Sequence, residues 1–273
     1  MLDHVRRRQA VPIAVAALLG ACATTTETGT IGVQRKQLLL VSSADMDKAA
    51  VQQYRQTLGQ ASEKSALNRD PQQVARVRAI AARLIPQTAV FRPDAPGWKW
   101  EVNVISSKEL NAWCMPGGKI AFYSGLIDSL QLTDDEIAAV MGHEISHALR
   151  EHGRERASEQ LASQTVVGIG AAILGVGQSG ADLGGVLASV TFNLPFSRVQ
   201  ETEADRMGVE LAARAGYDPR AAITLWQKMS RISQGSAPPA LLSTHPSNDA
   251  RIKDLEVFSQ KVMPLYEQAR AKT

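Results

Sequence analysis

Thr133-Asp134-Asp135-Glu136-Ile137-Ala138-Ala139-Val140-Met141-Gly142-His143-Glu144-Ile145-Ser146-His147-Ala148-Leu149 is the stretch on which the fold turns. Thr133 followed three residues later by Glu136 is a capping box, and the acids Asp134, Asp135 and Glu136 suit the positive end of a helix dipole. No Pro interrupts the run before Gly153, so it reads as one helix. His143 and His147 lie four residues apart on it, about 40° around the axis, and both imidazoles leave the same face one turn apart. Two such rings can grip one metal ion, with Glu144 beside the first of them and turned toward the ion's open position. H-E-x-x-H on a helix is the arrangement of a zinc hydrolase, the glutamate serving as general base.

The third ligand decides the class. A metzincin would need Gly at position 150 and His at 153, where this chain has Arg150 and Gly153. His152, nine residues past His143, falls on the opposite side of a continuing helix and is excluded as a ligand. A second helix carrying acids remains, in Phe196-Ser197-Arg198-Val199-Gln200-Glu201-Thr202-Glu203-Ala204-Asp205-Arg206-Met207-Gly208. Glu201 and Asp205 share one face of it, while Met207, Val209, Leu211 and Ala212 pack it down. Glu201 can close a His-His-Glu site, and Asp205, one turn on, can accept the free N–H of a ligating imidazole and fix its tautomer. Glu203 points about 200° away from Glu201 and is the weaker candidate.

Two further segments complete a pattern. Asn111-Ala112-Trp113-Cys114-Met115-Pro116-Gly117-Gly118-Lys119-Ile120 precedes the metal helix, and His245-Pro246-Ser247 with Arg251-Ile252 follows the acidic one. In this order the four segments resemble the HtpX and CAAX-prenyl-protease family of gluzincin metallopeptidases, most of all its soluble Oma-type and periplasmic BepA- and LoiP-type members. The likeness spans roughly residues 70 to 260, with Trp113-Cys114 standing where the family has a small or aromatic pair. It implies one Zn²⁺ per chain on His143, His147 and Glu201, with Glu144 as catalytic base. It also implies that His245 approaches the zinc, either as a fourth ligand that silences the enzyme or as a donor to the oxyanion; a capping histidine is the plainer alternative. Arg251, one helical turn on, is placed to pair with a carboxylate near the site. The implied activity is endoproteolysis of misfolded or misassembled cell-envelope proteins. The competing expectation is a zinc-locked chaperone or binding module for outer-membrane proteins.

At the start of the chain, Arg6-Arg7-Arg8 and the short apolar run Ala10 to Leu19 read as a leader, too short to span a bilayer as a finished helix. Leu19-Gly20-Ala21-Cys22 resembles a bacterial lipobox, with lipidation of Cys22 and removal of residues 1–21. Ala23 resembles the sorting signal of lipoproteins bound for the outer membrane, with the domain facing the periplasm. The whole chain carries 30 basic and 27 acidic residues; the leader takes three Arg and one Asp, leaving 27 against 26. That balance, with no basic and aromatic interleaving, argues against a nucleic-acid partner. Cys114 is then left without an intramolecular disulfide partner and reads as a small buried residue beside the site.

Thr- and Gly-rich residues 22–40 read as a flexible tether, and residues 41–273 as one domain. Helices are expected over Asp45 to about Ala66, Pro71 to about Leu84, Asp218 to Ile232, and from a Ser247-Asn248 cap to about Phe258. Trp98 to Val104 and Lys119 to Tyr123 alternate as strands on either side of the Pro116-Gly117-Gly118 turn. The fold class is therefore α+β and mostly helical, a zincin-like domain with a small sheet beside the H-E-x-x-H helix. One edge of that sheet is expected to bind substrate backbone by β-addition, through Asn111 and Ala112 or through Ile120 and Ala121. The Gly-rich stretch 166–190 reads as a helix pair serving as packing, as a membrane-apposed flap or as a lid.

Overall fold

The computed structural model describes residues 22–173, 195–232, 239–246 and 249–272, with isolated positions between 185 and 189. The leader, most of the Gly-rich stretch and the Ser247-Asn248 cap lie outside the described residues. The elements run β1 (Cys22–Ala23), β2 (Gln37–Leu38), α1 (Ser43–Glu63), α2 (Pro71–Leu84), β3 (Glu101–Ile105), β4 (Ala112–Met115), β5 (Lys119–Tyr123) and α3 (Ser124–Ser129). There follow α4 (Asp134–Leu149), α5 (His152–Ile173), α6 (Arg198–Arg214), α7 (Ala221–Ile232), α8 (Ala240–Thr244) and α9 (Asp249–Arg270). No described helix is long and apolar enough to cross a membrane.

The H-E-x-x-H helix α4 is the axis of the fold. Its capping box forms as the sequence requires, Glu136 N–H donating to Thr133 Oγ1 and Thr133 N–H to Glu136 Oε2. From Glu136 to Leu149 every residue is buried, so α4 has no solvent face and its polar side chains must find partners inside the protein. Helices α2, α6 and α7 and strand β4 pack around it. Against α6 the approach is closest where Gly142 meets Gly208: a Cβ on Gly208 would stand 2.8 Å from the His143 backbone nitrogen. Two glycines let the helix axes close at the level of the first histidine, which brings the carboxylates of α6 to the imidazoles of α4.

The sheet has strand order β3-β5-β4, with β3 parallel and β4 antiparallel to β5. Gly117 and Gly118, at φ 72° and 77°, make the reversal between β4 and β5 in a region that disfavours residues with a Cβ. Strand β4 alternates as its period demands: Ala112 and Cys114 join the main core with α4, while Trp113 and Met115 join Met46, Ala50 and Tyr54 of α1 on the opposite face. The order corrects one expectation. Ile120 and Ala121 lie on the central strand, paired on both sides, so only Asn111 and Ala112, at the start of β4, stand at an edge. Tyr123 N–H donates to Asn111 O at 3.1 Å, and by antiparallel alternation the backbone groups of Ala112 and Cys114 then face away from β5.

Residues 22–40 are not a free tether. Ile31 and Val33 are buried in the main core, Thr30 and Ile31 N–H groups donate to the buried Glu210 carboxylate, and β1 pairs with β2. Arg150, fully buried, donates to Thr24 Oγ1, Thr26 Oγ1 and the Arg35 carbonyl, and Gln37 Nε2 donates back to the Arg150 carbonyl at 2.7 Å. The composition of a linker hides a strap held by two apolar anchors and by polar partners that only tertiary structure supplies. The last helix also outruns expectation, passing through Pro264 to Arg270, because Val262 is buried and Leu265 and Tyr266 pack on the core beyond Phe258.

Candidate metal centre

Three elements deliver four side chains to one point. His143 and His147 come from α4; Glu201 comes from α6, whose start is fixed by a second capping box between Ser197 and Gln200. His245 follows α8, and that turn is tied to the entry of α6 by Phe196 N–H donating to Thr244 O at 2.9 Å. His143 Nε2 lies 3.1 Å from His147 Nε2 and 3.1 Å from His245 Nδ1. Glu201 Oε1 lies 2.9 Å from His245 Nδ1 and 3.3 Å from His147 Nε2. Ligands at roughly 2.1 Å from a tetrahedral zinc are about 3.4 Å from one another; these contacts match that, and the four ligand atoms together lie within 4.8 Å of one another, a set that could hold a metal ion.

Proton bookkeeping supports the same reading. A neutral imidazole has one N–H, and both α4 rings can spend theirs away from the cluster. His143 Nδ1 is 2.9 Å from Asp205 Oδ1, and His147 Nδ1 is 2.9 Å from His152 Nδ1. With those protons committed outward, the Nε2 lone pairs converge with a carboxylate on a space that a cation suits. The charges agree: Glu144, Glu201 and Asp205 face Arg251 as the fixed cation, and all four are buried. Burial works against charge on Glu201, yet His245, Arg251 and His143 hold its pKa well below the usual carboxylate range. Burial likewise opposes charge on His245, but Glu201 and Glu144 push its pKa up. Burial pushes the Glu144 carboxyl up, and its Oε1 has no hydrogen-bond partner among the described residues. The donor set fits a zinc ion, and Glu144 offers an unsatisfied acceptor beside it.

Arg251 finds the carboxylate it lacked in the sequence. Its Nε and Nη2 donate to Asp205 at 2.6 and 2.7 Å, and its guanidinium lies 3.5 Å from the Trp226 ring centroid. Phe196 covers the other side, 4.0 Å from the His147 ring and 5.1 Å from that of His245. Cys114 is buried near Glu144, and burial pushes its thiol well up, so it is a neutral packing group and no thiolate ligand. A cleft opens between the β4 edge and the cluster, lined by Cys114, Met115, Glu144, His147, Phe196 and His245.

Sequence reasoning missed the part played by His152 and Glu203. Neither enters the cluster, but the ground for setting His152 aside, a helix continuing past Leu149, fails. Helix α4 stops at Leu149, Glu151 takes φ 52°, and the new helix α5 starts at His152 with its ring directed back at His147. Gly153 follows two residues later, but the left-handed position itself holds Glu151 and no Gly. His152 Nε2 then meets Glu203 Oε2 at 3.0 Å. Burial opposes charge on Glu203, but hydrogen bonds from His152 and Arg35 and the charge of Arg150 hold its pKa down to about 2.

Comparison with known proteins agrees with this geometry. The family model described as peptidase family M48 matches residues 71–258. The chain is 35% identical over 185 residues to the mitochondrial metalloendopeptidase OMA1 of Arabidopsis thaliana, covering 64% of this chain and 35% of that protein. It is 38% identical over 164 residues to the enzyme of that name from Schizosaccharomyces pombe, covering 58% and 46%. With the beta-barrel assembly-enhancing protease of Escherichia coli it shares 31% identity over 176 residues, covering 61% and 36%. It thus spans between a third and a half of these relatives' lengths. With the family model matched over more than half of its length, the chain belongs to peptidase family M48.

Proposed function

We propose that the protein is a zinc-dependent endopeptidase in which His143, His147 and Glu201 hold the ion and Glu144 is the general base. The observation that carries this reading is the convergence of the four buried side chains His143, His147, Glu201 and His245 within reach of one ion, beside a Glu144 oxygen that has no hydrogen-bond partner among the described residues and lies 3.5 Å from His245 Nε2. Zinc in this set supplies a Lewis acid for the attacking water and for the scissile carbonyl. Glu144 takes the proton of the attacking water and returns it to the leaving amine. Asp205, itself fixed by Arg251, keeps the His143 proton on Nδ1 and its Nε2 bare. The outer side of β4, where the Ala112 carbonyl and the Cys114 backbone face away from β5 and Asn111 Oδ1 takes the Ala112 N–H, is suited to bind an extended substrate by its backbone, which favours unfolded polypeptide over a particular sequence.

His245 gives the second reading its footing. Its Nδ1 stands where a fourth ligand belongs, which describes a closed site, whereas catalysis needs an open position. In the arrangement described, the enzyme is latent and His245 must leave for a substrate to enter; a protein in which it never leaves would be a zinc-locked chaperone or binding module. Casein cleavage separates the two. The expected result is cleavage lost to a chelator and restored by about one equivalent of zinc, with His245→Ala cleaving at least about tenfold faster than the parent, the free energy of displacing one ligand being worth at least about 1.4 kcal/mol. No cleavage by either form, with both binding unfolded clients, would favour the locked module. A loss of about a hundredfold or more in His245→Ala would make His245 an oxyanion donor instead.

Misfolded or misassembled cell-envelope proteins are the proposed substrates. Support comes from the likeness to a relative whose name ties it to β-barrel assembly. Support for a lipid on Cys22 at the outer membrane, facing the periplasm, comes from the lipobox-like Leu19-Gly20-Ala21-Cys22. Because residues from Ala23 onward are docked on the domain, such an anchor would hold the catalytic body close against the bilayer.

A further inference from the structure

The two α4 histidines solve the same problem by different means. Each must carry its one proton on Nδ1 so that Nε2 presents a lone pair to the metal, because a ring with the proton on Nε2 cannot coordinate there. For His143 the acceptor is a carboxylate, Asp205. For His147 the neighbour on the Nδ1 side is another imidazole, whose own tautomer decides whether it accepts or donates, while Glu201 Oε1, 3.3 Å from Nε2, competes for the proton as long as no metal holds that nitrogen.

Glu203 settles that choice from two residues away along the hydrogen-bond chain. It receives Arg35 Nε at 3.1 Å, Arg35 Nη2 at 3.0 Å and Arg150 Nη2 at 3.1 Å, so two guanidinium groups hold it as an acceptor-only carboxylate. The His152 proton therefore sits on Nε2, donating to Glu203 Oε2, and His152 Nδ1 is left as a lone pair. The 2.9 Å contact between His152 Nδ1 and His147 Nδ1 then needs its proton from His147. We propose that His152 is a positioning residue for the metal centre: through Glu203 it holds His147 in the tautomer that presents Nε2, with Arg35 of the N-terminal strap anchoring the far end of the chain.

The placement explains features that ligand geometry alone does not. His152 and Arg150 are both fully buried, an arrangement that costs desolvation and gives apolar packing nothing. Arg35 is shared between Glu203 and Glu155, and Gln37 and Gln200 also donate to Glu155, so the strap and the start of α6 are pinned on the same polar cluster. The strap thereby becomes part of the support of the metal site.

The inference rests on the metal set proposed above, and its test does not depend on peptide cleavage. In the zinc-loaded full chain, nitrogen chemical shifts of the His152 ring are expected to show the proton on Nε2 and a bare Nδ1 that accepts from His147. In His152→Ala zinc affinity, measured by competition with a chromogenic chelator, should fall about 10- to 100-fold, the range for loss of an outer hydrogen-bond partner. His152→Asn, whose Oδ1 can accept the same proton, should recover most of that affinity, which a role in packing alone would not bring about. Parental zinc affinity in a folded His152→Ala, or a His152 proton on Nδ1 in the zinc-loaded unsubstituted chain, would overturn the assignment. The second of these needs no variant and decides the matter if His152→Ala fails to fold. A parent that binds zinc tightly through His147 yet cleaves nothing would sink the peptidase reading and leave this one standing.

Discussion

Glu144→Gln is expected to lower peptide cleavage by about 10³-fold or more while leaving zinc content and fold unchanged. General-base catalysis is worth on the order of 10²–10⁴-fold, and a carboxamide cannot take a proton from water at neutral pH. Stability should change little, since burial disfavours the Glu144 charge and its Oε1 makes no hydrogen bond among the described residues, only a 3.5 Å contact with His245 Nε2. The side chain keeps its shape, so the melting temperature should match or slightly exceed that of the parent. Three measurements on one preparation check this: steady-state cleavage of labelled casein, zinc per chain, and a thermal melt. Wild-type-like turnover by the variant, purified free of other proteases, would remove Glu144 from the mechanism; a lost fold or lost zinc would make it a structural residue.

Gly208→Ala is the second large effect, and it acts by displacement. In an exposed helix interior, Gly to Ala gains about 1 kcal/mol. Here the new methyl carbon would meet His143 N at 2.8 Å, Gly142 C at 3.0 Å and His143 Cα at 3.1 Å, all of them backbone atoms that no rotamer change can clear. Overpacking of this kind costs roughly 1–3 kcal/mol, and at roughly 2–4 °C per kcal/mol the melting temperature should fall by about 2–12 °C. The larger consequence lies in the site, because pushing α6 off α4 at this level separates Glu201 from His143 and His147, and zinc affinity should fall by at least about tenfold. Gly59→Ala is the control. Gly59 lies in α1, and an added Cβ there meets nothing within 4 Å among the described residues, so that variant should keep zinc affinity and gain slightly in stability. Equal zinc affinity in Gly208→Ala and the parent would show that the close crossing does not position the ligands.

The parts of the site that could be read in the sequence are those set by one helix at a time. The four-residue spacings of His143 with His147 and of Glu201 with Asp205 fix a shared face whatever surrounds them, and Thr133 marks the start of α4 through local hydrogen bonds. Helix α2 has its expected ends because Asp70 caps it and Pro71 opens it. What stayed hidden depends on partners distant in the chain. Whether β4 or β5 lies at the edge is set by pairing with β3, which alternation does not encode. The strap was read as a linker because Ile31 and Val33 are its only strong apolar anchors, while its other ties run to Glu210, Arg150 and Glu155 more than a hundred residues away. His152 was lost to a helix break carried by Glu151 in a left-handed conformation, a residue type that gives no warning of one. Arg251 could be seen to need a carboxylate, but choosing Asp205 required the packing of α9 on α6.

The central claim is that one ion is shared by two rings of α4 and a carboxylate of α6, and anomalous diffraction at the zinc edge from crystals of the zinc-loaded protein tests it most directly. One peak per chain is expected, within roughly 2.0–2.2 Å of His143 Nε2, His147 Nε2 and a Glu201 oxygen. A peak on other residues, or none at full zinc loading, would contradict it.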